Sequence, residues 1–420
     1  MLAAMDAPAR PAADPTPPPR SEAAERIARR LLERNRVSAA FFPGESERLA
    51  VVCQALSERF LRGGRLLAFG RGPYATDAQH VSVEFVHPVI VGKRALPAIG
   101  LAAEGGDLPG QLALTARPDD IVIGFGVGED GGETARALVD ARDRGCLTIA
   151  FAPAGAEWEF RPPSADPQIR QELVETLYHV LWELVHVFFE HRGLLEGRDR
   201  RPTHGAGASS FLYPFLAEQE DDLECVVDDV RRSVLMKADE VADLRRQTLT
   251  ENRDVLVAAA ADLRERFHRG GRMLAFGNGG SATDAMDVVA DFRNPPGAAT
   301  RRPAIDLTED PAILTAIAND IGAEAMFSRQ VIAHGHADDM LLAISTSGGS
   351  ANVIQALAEA RRRGMGTIAL VGYDGGRVAG DGLADHVVIS RSEHIPRIQE
   401  AQASAYHALR NLVDDPPAAR

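Results

Sequence analysis

Short apolar runs alternate with longer amphipathic stretches along this chain. In the first half, apolar runs at residues 65–69, 121–125 and 147–151 predict buried strands. Helical periodicity lies at 132–144 and, after the last of these runs, at 168–190. Because strands alternate with helices, the pattern predicts an α/β fold with a doubly wound parallel sheet.

The two halves of the chain share one template. The segment RFLRGGRLLAFG at 59–70 returns as RFHRGGRMLAFG at 266–277, and the order of strands and helices repeats with it. The predicted fold class is therefore two tandem three-layer α/β domains of the flavodoxin-like or Rossmann-like kind. The repeated elements are strands at 273–276, 340–344 and 367–371 and helices at 350–363 and 397–413.

The boundaries of these domains follow from local composition. Residues 1–20 are rich in Pro and Ala and predict a disordered tail, whereas 201–217 open with a Gly/Pro/Ser-rich stretch typical of a linker. The predicted domains are 21–200 and 218–415. The first begins with a long helical pattern, in which Pro43 predicts a break because proline lacks the N–H that a helix interior needs.

Composition and charge narrow the classes of function. The hydrophobic fraction of 45% and charged fraction of 25% are typical of a soluble protein, and no uncharged run reaches membrane-spanning length. A net charge of −14 and an aromatic content of 5% argue against a nucleic-acid partner. Cys53, Cys146 and Cys225 lack CxxC spacing, which favours a reducing, cytoplasmic location.

Two loops of the second half have the features of an anion site. The run at 340–344 leads into STSGGS at 345–350 and then a helix, and GNGGS at 277–281 also joins a strand to a helix. Hydroxyls, glycines and a helix N-terminus together suit a phosphate, and Ser281 adds a donor. Alternatively, Ser350 is only a helix N-cap, but that explains one serine and not four hydroxyls in six residues.

The first half lacks these groups at the equivalent positions. The stretch at 126–131 carries Glu129 and Asp130 in place of hydroxyls, and Tyr74 replaces Ser281. We therefore expect this loop to repel a phosphate dianion.

The first half instead carries residues of the kind that bind metal ions. His80 and Glu84 are four residues apart on one predicted helix, and Gln171 and His179 are eight apart on another, so each pair shares a helix face. Imidazole and carboxylate suit a divalent metal such as zinc. Taken alone, however, a His/Glu pair at this spacing is more often an ordinary helix surface.

Ordered motifs in the second half resemble the sugar isomerase (SIS) domain, and specifically the phosphoheptose isomerase family. This resemblance runs from about Asp228 to Val413, whereas in the first half it rests on order and spacing from about Ala24 to His191. The motifs are GNGGSATDAM (277–286), LTAIAND (314–320), FSRQV (327–331), ISTSGGSANVI (344–354), GYDGG (372–376) and RIQE (397–400).

The resemblance implies an isomerase that converts sedoheptulose 7-phosphate to D-glycero-D-manno-heptose 7-phosphate, with zinc in many members. The family's metal ligands fall on His80, Glu84, Gln171 and His179. Of these, Glu84 and His179 are also its acid/base pair. The family's substrate-binding residues fall in the second half, on Asn278, Gly279, Ser281, Asp320, Ser345, Thr346, Ser347 and Ser350.

The second half has a different set at the metal positions. His and Glu have both become Asp there, and aspartate is one methylene shorter than glutamate. We interpret this set as a remnant with respect to catalysis, while metal binding by it stays open. It consists of Asp287, Asp291, Gln399 and His407.

Complementary losses in the two halves predict one composite site. In this hypothesis the phosphate binds to residues 345–350, while the reacting carbons lie against the metal and acid/base groups of the first half. Glu84 moves a proton between C1 and C2 through a cis-enediol, with His179 as its partner. A bound metal polarises the carbonyl and enediolate oxygens.

Family members are usually tetramers with sites between subunits, so the resemblance implies a homodimer of two-domain chains that mimics a tetramer. Two other interpretations remain at this stage. One is a non-catalytic SIS protein that senses a sugar phosphate or binds a replication initiator, and the other is an isomerase of a different sugar phosphate. The full ligand set of the first half argues against the non-catalytic one.

Overall fold

Two parallel five-stranded sheets form the framework of the structure. The tail predicted at 1–20 and the linker predicted at 201–217 lie outside the residues that are described. The computed structural model describes residues 22–89, 93–101, 107–128, 132–190, 223–295 and 299–414.

The first half folds around one sheet. Its strands are β1 (Leu66–Phe69), β2 (Ala98–Leu101), β3 (Ile121–Gly124), β4 (Leu147–Ala150) and β5 (Trp158–Glu159). Its helices are α1 (Glu22–Leu61), α2 (Ala75–Val86), α3 (Leu108–Thr115), α4 (Glu133–Asp143) and α5 (Pro167–Glu190). The strand order in the sheet is β2-β1-β3-β4-β5.

The second half folds around the other sheet. Its strands are β6 (Met273–Phe276), β7 (Ala304–Asp306), β8 (Met340–Ser345), β9 (Gly366–Gly372) and β10 (His386–Ser390). Its helices are α6 (Leu223–Glu251), α7 (Arg253–His268), α8 (Gly280–Arg293), α9 (Pro311–Asp320), α10 (Met326–His334), α11 (Ala351–Arg362), α12 (Gly376–Gly380) and α13 (Ile395–Val413). The order β7-β6-β8-β9-β10 repeats the topology of the first sheet.

The central strands of both sheets are apolar along their whole length because helices cover both faces. Every residue of β1, β3 and β4, and of β6, β8 and β9, is buried. Strands buried on two faces read as continuous apolar runs, and their neighbours are parallel throughout. The predicted pair of doubly wound parallel sheets is confirmed.

Equivalent contacts in the two halves show the duplication at atomic level. Arg65 of the first half pairs with Asp120 at 2.7 Å, and Arg272 of the second half pairs with Asp339 at 3.0 Å. In each case the carboxylate also accepts a hydrogen bond from the backbone N–H of that arginine. The same Arg–Asp contact therefore holds the start of β1 in the first sheet and of β6 in the second.

The predicted break at Pro43 is wrong. Helix α1 continues through this proline for 40 residues. The neighbouring Phe42 and Leu49 are fully buried, and the Ser46 hydroxyl donates to the Pro43 carbonyl at 3.2 Å. Packing on both sides of the proline thus outweighs the lost hydrogen bond. The second half does break, at Asn252 between α6 and α7.

The last helices of the two halves lie at the junction between them. Most residues of α5 and α13 are buried, including many that are polar or charged. Helices α2 and α8 pack against each other at the same junction. None of the helices in the described ranges combines the length and the apolar run needed to cross a membrane.

Candidate active site at the junction of the two halves

Three of the predicted metal ligands converge in the structure. The Nε2 atoms of His80 on α2 and His179 on α5 lie 3.4 Å apart, and Glu84 Oε1 lies 3.8 Å from His80 Nε2. Their side chains are at most 3% exposed. Their ligand atoms are all within 4.8 Å of one another, which is close enough to share one ion.

The fourth position is held by an amide from the other half. Gln399 Nε2 lies 3.3 Å from His80 Nε2, whereas Gln171 lines a separate small cavity beside Tyr74. Eight residues along a helix correspond to about 12 Å, so Gln171 and His179 point to different places along α5. His80, Glu84, His179 and Gln399 are called the imidazole cluster below.

A glycine of the second half lies directly against this cluster. Gly280 is the first residue of α8 and belongs to the GNGGS loop. A Cβ atom at this position would overlap Gln399 Nε2 and lie 2.7 Å from His80 Nε2. The loop that was assigned to the substrate therefore contacts the cluster that was assigned to the metal, across the junction.

The imidazole cluster has the donor set for a divalent metal. His80 Nδ1 lies 3.0 Å from the Tyr178 hydroxyl, and His179 Nδ1 lies 3.0 Å from Glu400 Oε1. When each ring carries its proton on Nδ1, the Nε2 lone pairs of His80 and His179 face each other. A cation bound between them stabilises this arrangement. Buried Glu84 Oε2 and Gln399 Oε1 also lack hydrogen-bond partners among the residues that the structure describes. Two imidazoles and a carboxylate fit zinc, and the Gln399 amide, which here presents Nε2 to His80, would supply its oxygen after rotation about its terminal bond.

Burial sets the protonation of the cluster. It raises the pKa of Glu84 to about 7, since the charged form is poorly solvated there. It also lowers the pKa of His80 well below its ordinary range, and proximity to His179 lowers it further. A neutral imidazole and a carboxylate that titrates near neutrality are suited to ligand and general-base roles.

Further buried acids surround the cluster. Asp77 and Asp284 occupy equivalent positions of the two repeats. Within the described ranges, neither Asp284 oxygen has a hydrogen-bond partner. Glu175 and Asp284 come within ligand distance of His80. Burial raises the pKa of Asp77 to about 8 and that of Asp284 well above its ordinary range, so the folded chain retains protons here.

We expect Asp77→Asn to stabilise the metal-free protein much more at pH 8 than at pH 5. A raised folded-state pKa means that stability falls as pH rises from about 4 to about 8, because the unfolded chain releases this proton first. The amide mimics the protonated acid, so the expected gain at pH 8 is on the order of 5 kcal/mol. Chelator-treated variants are compared by thermal unfolding, with exposed Asp140→Asn as control. A similar loss of stability at both pH values would contradict this account.

The phosphate loop, residues 345–350, buries the Ser345 side chain and leaves Thr346, Ser347 and Ser350 partly or fully accessible. Ser345 ends β8, and its Oγ accepts from Gly348 N at 3.1 Å, while Ser347 is exposed. Ser350 occupies the N-cap position of α11, but its side chain makes no capping bond. The N-cap interpretation therefore does not explain this serine, and its hydroxyl is free of that role.

The two loops of the second half lie side by side. Strands β6 and β8 are neighbours in the sheet, and the amides of Asn278 and Asn352 bond each other at 2.9 and 3.0 Å. Gly279, at φ 58°, makes the turn that only glycine adopts readily, and Ser281 is buried just inside α8. The loop at 277–281 thus bonds the start of α11 through Asn278 and lies against the imidazole cluster through Gly280.

The first half presents no comparable loop in the residues that are described. The Tyr74 ring lies against Gly126, where a Cβ would overlap it, so an aromatic side chain fills the equivalent space. Arg71 pairs with Glu133 at 2.7 Å. Glu129 and Asp130, on which the predicted repulsion rested, lie outside the described residues.

The second-half metal positions do not assemble. Asp287 bonds Thr76, Asp291 accepts from Gln168 at 3.2 Å, and His407 Nδ1 lies 2.7 Å from Glu172 Oε1. In the described part of the chain, these three ligands do not come within the mutual reach that one ion requires. Asp287, Asp291 and His407 are called the remnant set below.

Some residues were missed or remain separate. Glu400 and Gly280 were not singled out from the sequence, although they lie in the RIQE and GNGGS motifs. Asp320 is exposed at the end of α9 and bonds Asn319 at 2.7 Å. Among the described residues, no hydrogen bond or ion pair joins it to the imidazole cluster.

Comparison with known proteins finds relatives in sequence and in fold. A model of the SIS domain matches residues 238–372. A phosphoheptose isomerase from Roseiflexus sp. (strain RS-1) is 40% identical over 197 residues, which cover 45% of this chain and 91% of that protein. One from Nitratidesulfovibrio vulgaris (strain DSM 19637 / Miyazaki F) is 40% identical over 195 residues, with 45% and 90% covered. Each relative thus corresponds to less than half of this chain.

A solved structure resembles both halves together. The C-terminal domain of glucosamine-fructose-6-phosphate aminotransferase from Francisella tularensis covers 89% of this chain and 92% of its own, with a TM-score of 0.54. The sequences are only 8% identical, so the likeness concerns the fold alone.

Proposed function

This chain belongs to the phosphoheptose isomerase family of SIS-domain proteins, and we propose that it is a sugar-phosphate isomerase with one composite active site. The observation that carries the proposal is the position of Gly280, which contacts both His80 and Gln399. It joins the substrate loops of one half to the acid/base groups of the other. In the remnant set, Asp287, Asp291 and His407 Nδ1 each bond a side chain of the first half, which supports one site per chain.

The second half holds the phosphate of the substrate. Backbone N–H groups at the start of α11 and the hydroxyls of Ser347 and Ser350 are the donors for a dianion. Asn278, held by Asn352, and Gly279 line the adjoining loop. The sugar chain then extends past Gly280 towards the imidazole cluster.

The first half moves the proton. Glu84 takes a proton from C2 of the aldose or C1 of the ketose and returns it to the other carbon through a cis-enediol. His179 Nε2 serves the oxygens as acid/base partner, with Glu400 holding the opposite ring nitrogen. A divalent metal held by the imidazole cluster, zinc in our proposal, supplies polarisation of the substrate oxygens.

We take sedoheptulose 7-phosphate as the substrate, because the relatives named above are phosphoheptose isomerases. The purified protein should convert it to the heptose 7-phosphate, lose activity with a chelator and regain it with zinc. The His179→Ala and Ser347→Ala variants should both be inactive or nearly so, since each half supplies an essential part. Product formation is followed by chromatography or NMR.

Three outcomes separate the alternatives. Activity that survives His179→Ala would place the chemistry in the second half. Binding of the sugar phosphate without turnover would favour a sensor, and turnover of another sugar phosphate alone would change only the substrate. We also propose a dimer of two-domain chains, which sedimentation or mass photometry checks.

A further inference from the structure

A glutamate of the second half holds an imidazole of the first. Glu400 Oε1 lies 3.0 Å from His179 Nδ1, and both side chains are fully buried. A carboxylate in this position accepts the Nδ1 proton, which fixes the tautomer and the orientation of the ring. His179 Nε2 is then left as a lone pair that faces His80 Nε2 at 3.4 Å.

We propose that Glu400 is a positioning residue that prepares His179 for metal binding and proton transfer across the junction. This inference rests on the proposed function of the imidazole cluster. Partners of metal-bound imidazoles typically change metal affinity by 10–100-fold when they are removed. Glu400 acts through His179 and has no hydrogen bond to the other members of the cluster among the described residues.

The pseudo-equivalent glutamate separates this role from a structural one. Glu172 lies 2.7 Å from His407 Nδ1, so the remnant set keeps the same His–Glu contact. Glu172, however, also accepts from Arg34 at 2.9 Å and from Ser404 at 2.7 Å. Arg34, the contact with His407 and Arg245 outweigh the effect of burial and hold the pKa of Glu172 well below its ordinary range. The contact at His407 is thus one part of a structural ion-pair network.

Glu400 is much less engaged in such a network. Its Oε1 meets His179 and, at 3.1 Å, Arg397, while its buried Oε2 has no hydrogen-bond partner in the described part of the chain. Arg397 has a second carboxylate, Glu183, at 3.3 Å. Removing the charge of Glu400 therefore leaves Arg397 paired, and we expect the fold to survive.

The test compares Glu400→Gln with Glu172→Gln in the full chain. Zinc affinity is measured by titration against a chromophoric chelator, and the Nδ1 proton of His179 is observed as a downfield NMR resonance in the metal-free protein. We expect Glu400→Gln to weaken zinc binding at least 10-fold and to shift or remove this resonance. Glu172→Gln should keep zinc affinity within about 2-fold of the parent, even where its melting temperature falls.

A charge-conserving variant and a comparison of the two glutamine variants complete the test of Glu400. Glu400→Asp, which keeps the charge, should restore part of the lost affinity. Zinc binding unchanged in Glu400→Gln, or weakened equally in both glutamine variants, would overturn the positioning role. Because neither readout depends on turnover, failure of the proposed activity would leave this comparison intact.

Discussion

Replacing Glu84 by glutamine is expected to lower kcat for the sugar phosphate by about 10³-fold, in the range for loss of a general base. The amide has nearly the same size as the carboxyl group but cannot take up a proton from carbon. Burial raises the pKa of Glu84 to about 7, so the native carboxylate is basic enough for this transfer near neutral pH. Initial rates at saturating substrate measure the effect.

Substrate affinity should respond quite differently to Glu84→Gln. The phosphate loop belongs to the other half, and we expect the dissociation constant for the sugar phosphate to stay within about 3-fold of the parent value. Calorimetric titration of the variant measures this, and its metal content is determined alongside. A variant that keeps more than a tenth of the parent kcat would remove Glu84 from the role of base.

The remnant set provides the matched control. Asp291 occupies the position equivalent to Glu84, but its carboxylate accepts from Gln168 and lies 3.6 Å from His407 Nε2. We expect Asp291→Asn to retain at least half of the parent activity. If this variant were the inactive one, the catalytic assignment would move to the second half.

The second large effect is expected from Gly280→Ala. Alanine at the start of a helix usually gains up to about 1 kcal/mol over glycine from propensity alone. Here the new methyl group would overlap Gln399 Nε2 and press on His80, and overpacking of this kind costs about 1–3 kcal/mol. The cost of the overlap exceeds the gain in helix propensity, and the residues displaced are Gln399 and His80 of the imidazole cluster.

We therefore expect Gly280→Ala to weaken metal binding by about 10–100-fold and to lower kcat by a similar factor. Zinc titration and initial rates measure the two effects. The control is Gly380→Ala at the end of α12, where a Cβ would have no atom within 4 Å. Unchanged zinc affinity in Gly280→Ala would mean that the junction is looser than its contacts indicate, and the composite site would lose its main support.

Local sequence features predicted most of the fold. Runs such as Leu66–Phe69 and Met340–Ser345 are apolar throughout because helices cover both faces of a parallel sheet, and this pattern can be read without coordinates. Short edge strands such as Trp158–Glu159 were missed, since two residues carry no periodicity. The break predicted at Pro43 failed because packing of distant elements is invisible to local propensity.

The site was only partly readable from the sequence. The spacing of His80 and Glu84 correctly placed both on one helix face, because helical geometry is local. The amide was assigned to Gln171, whereas Gln399 lies beside His80. No local rule predicts that Gln399 takes the place assigned to Gln171, because this depends on how α5 and α13 pack at the junction.

The sequence by itself determined the repeated template and the two parallel sheets, and it predicted a phosphate loop and a type of chemistry for each half. Those properties follow from periodicity, glycine positions and side-chain chemistry, which act over a few residues. Only the tertiary structure decided that Gly280, Gln399 and Glu400 of one half complete the cluster of His80 and His179 in the other. Contacts between residues hundreds of positions apart arise from packing of whole domains, and packing is a property of the assembled surfaces.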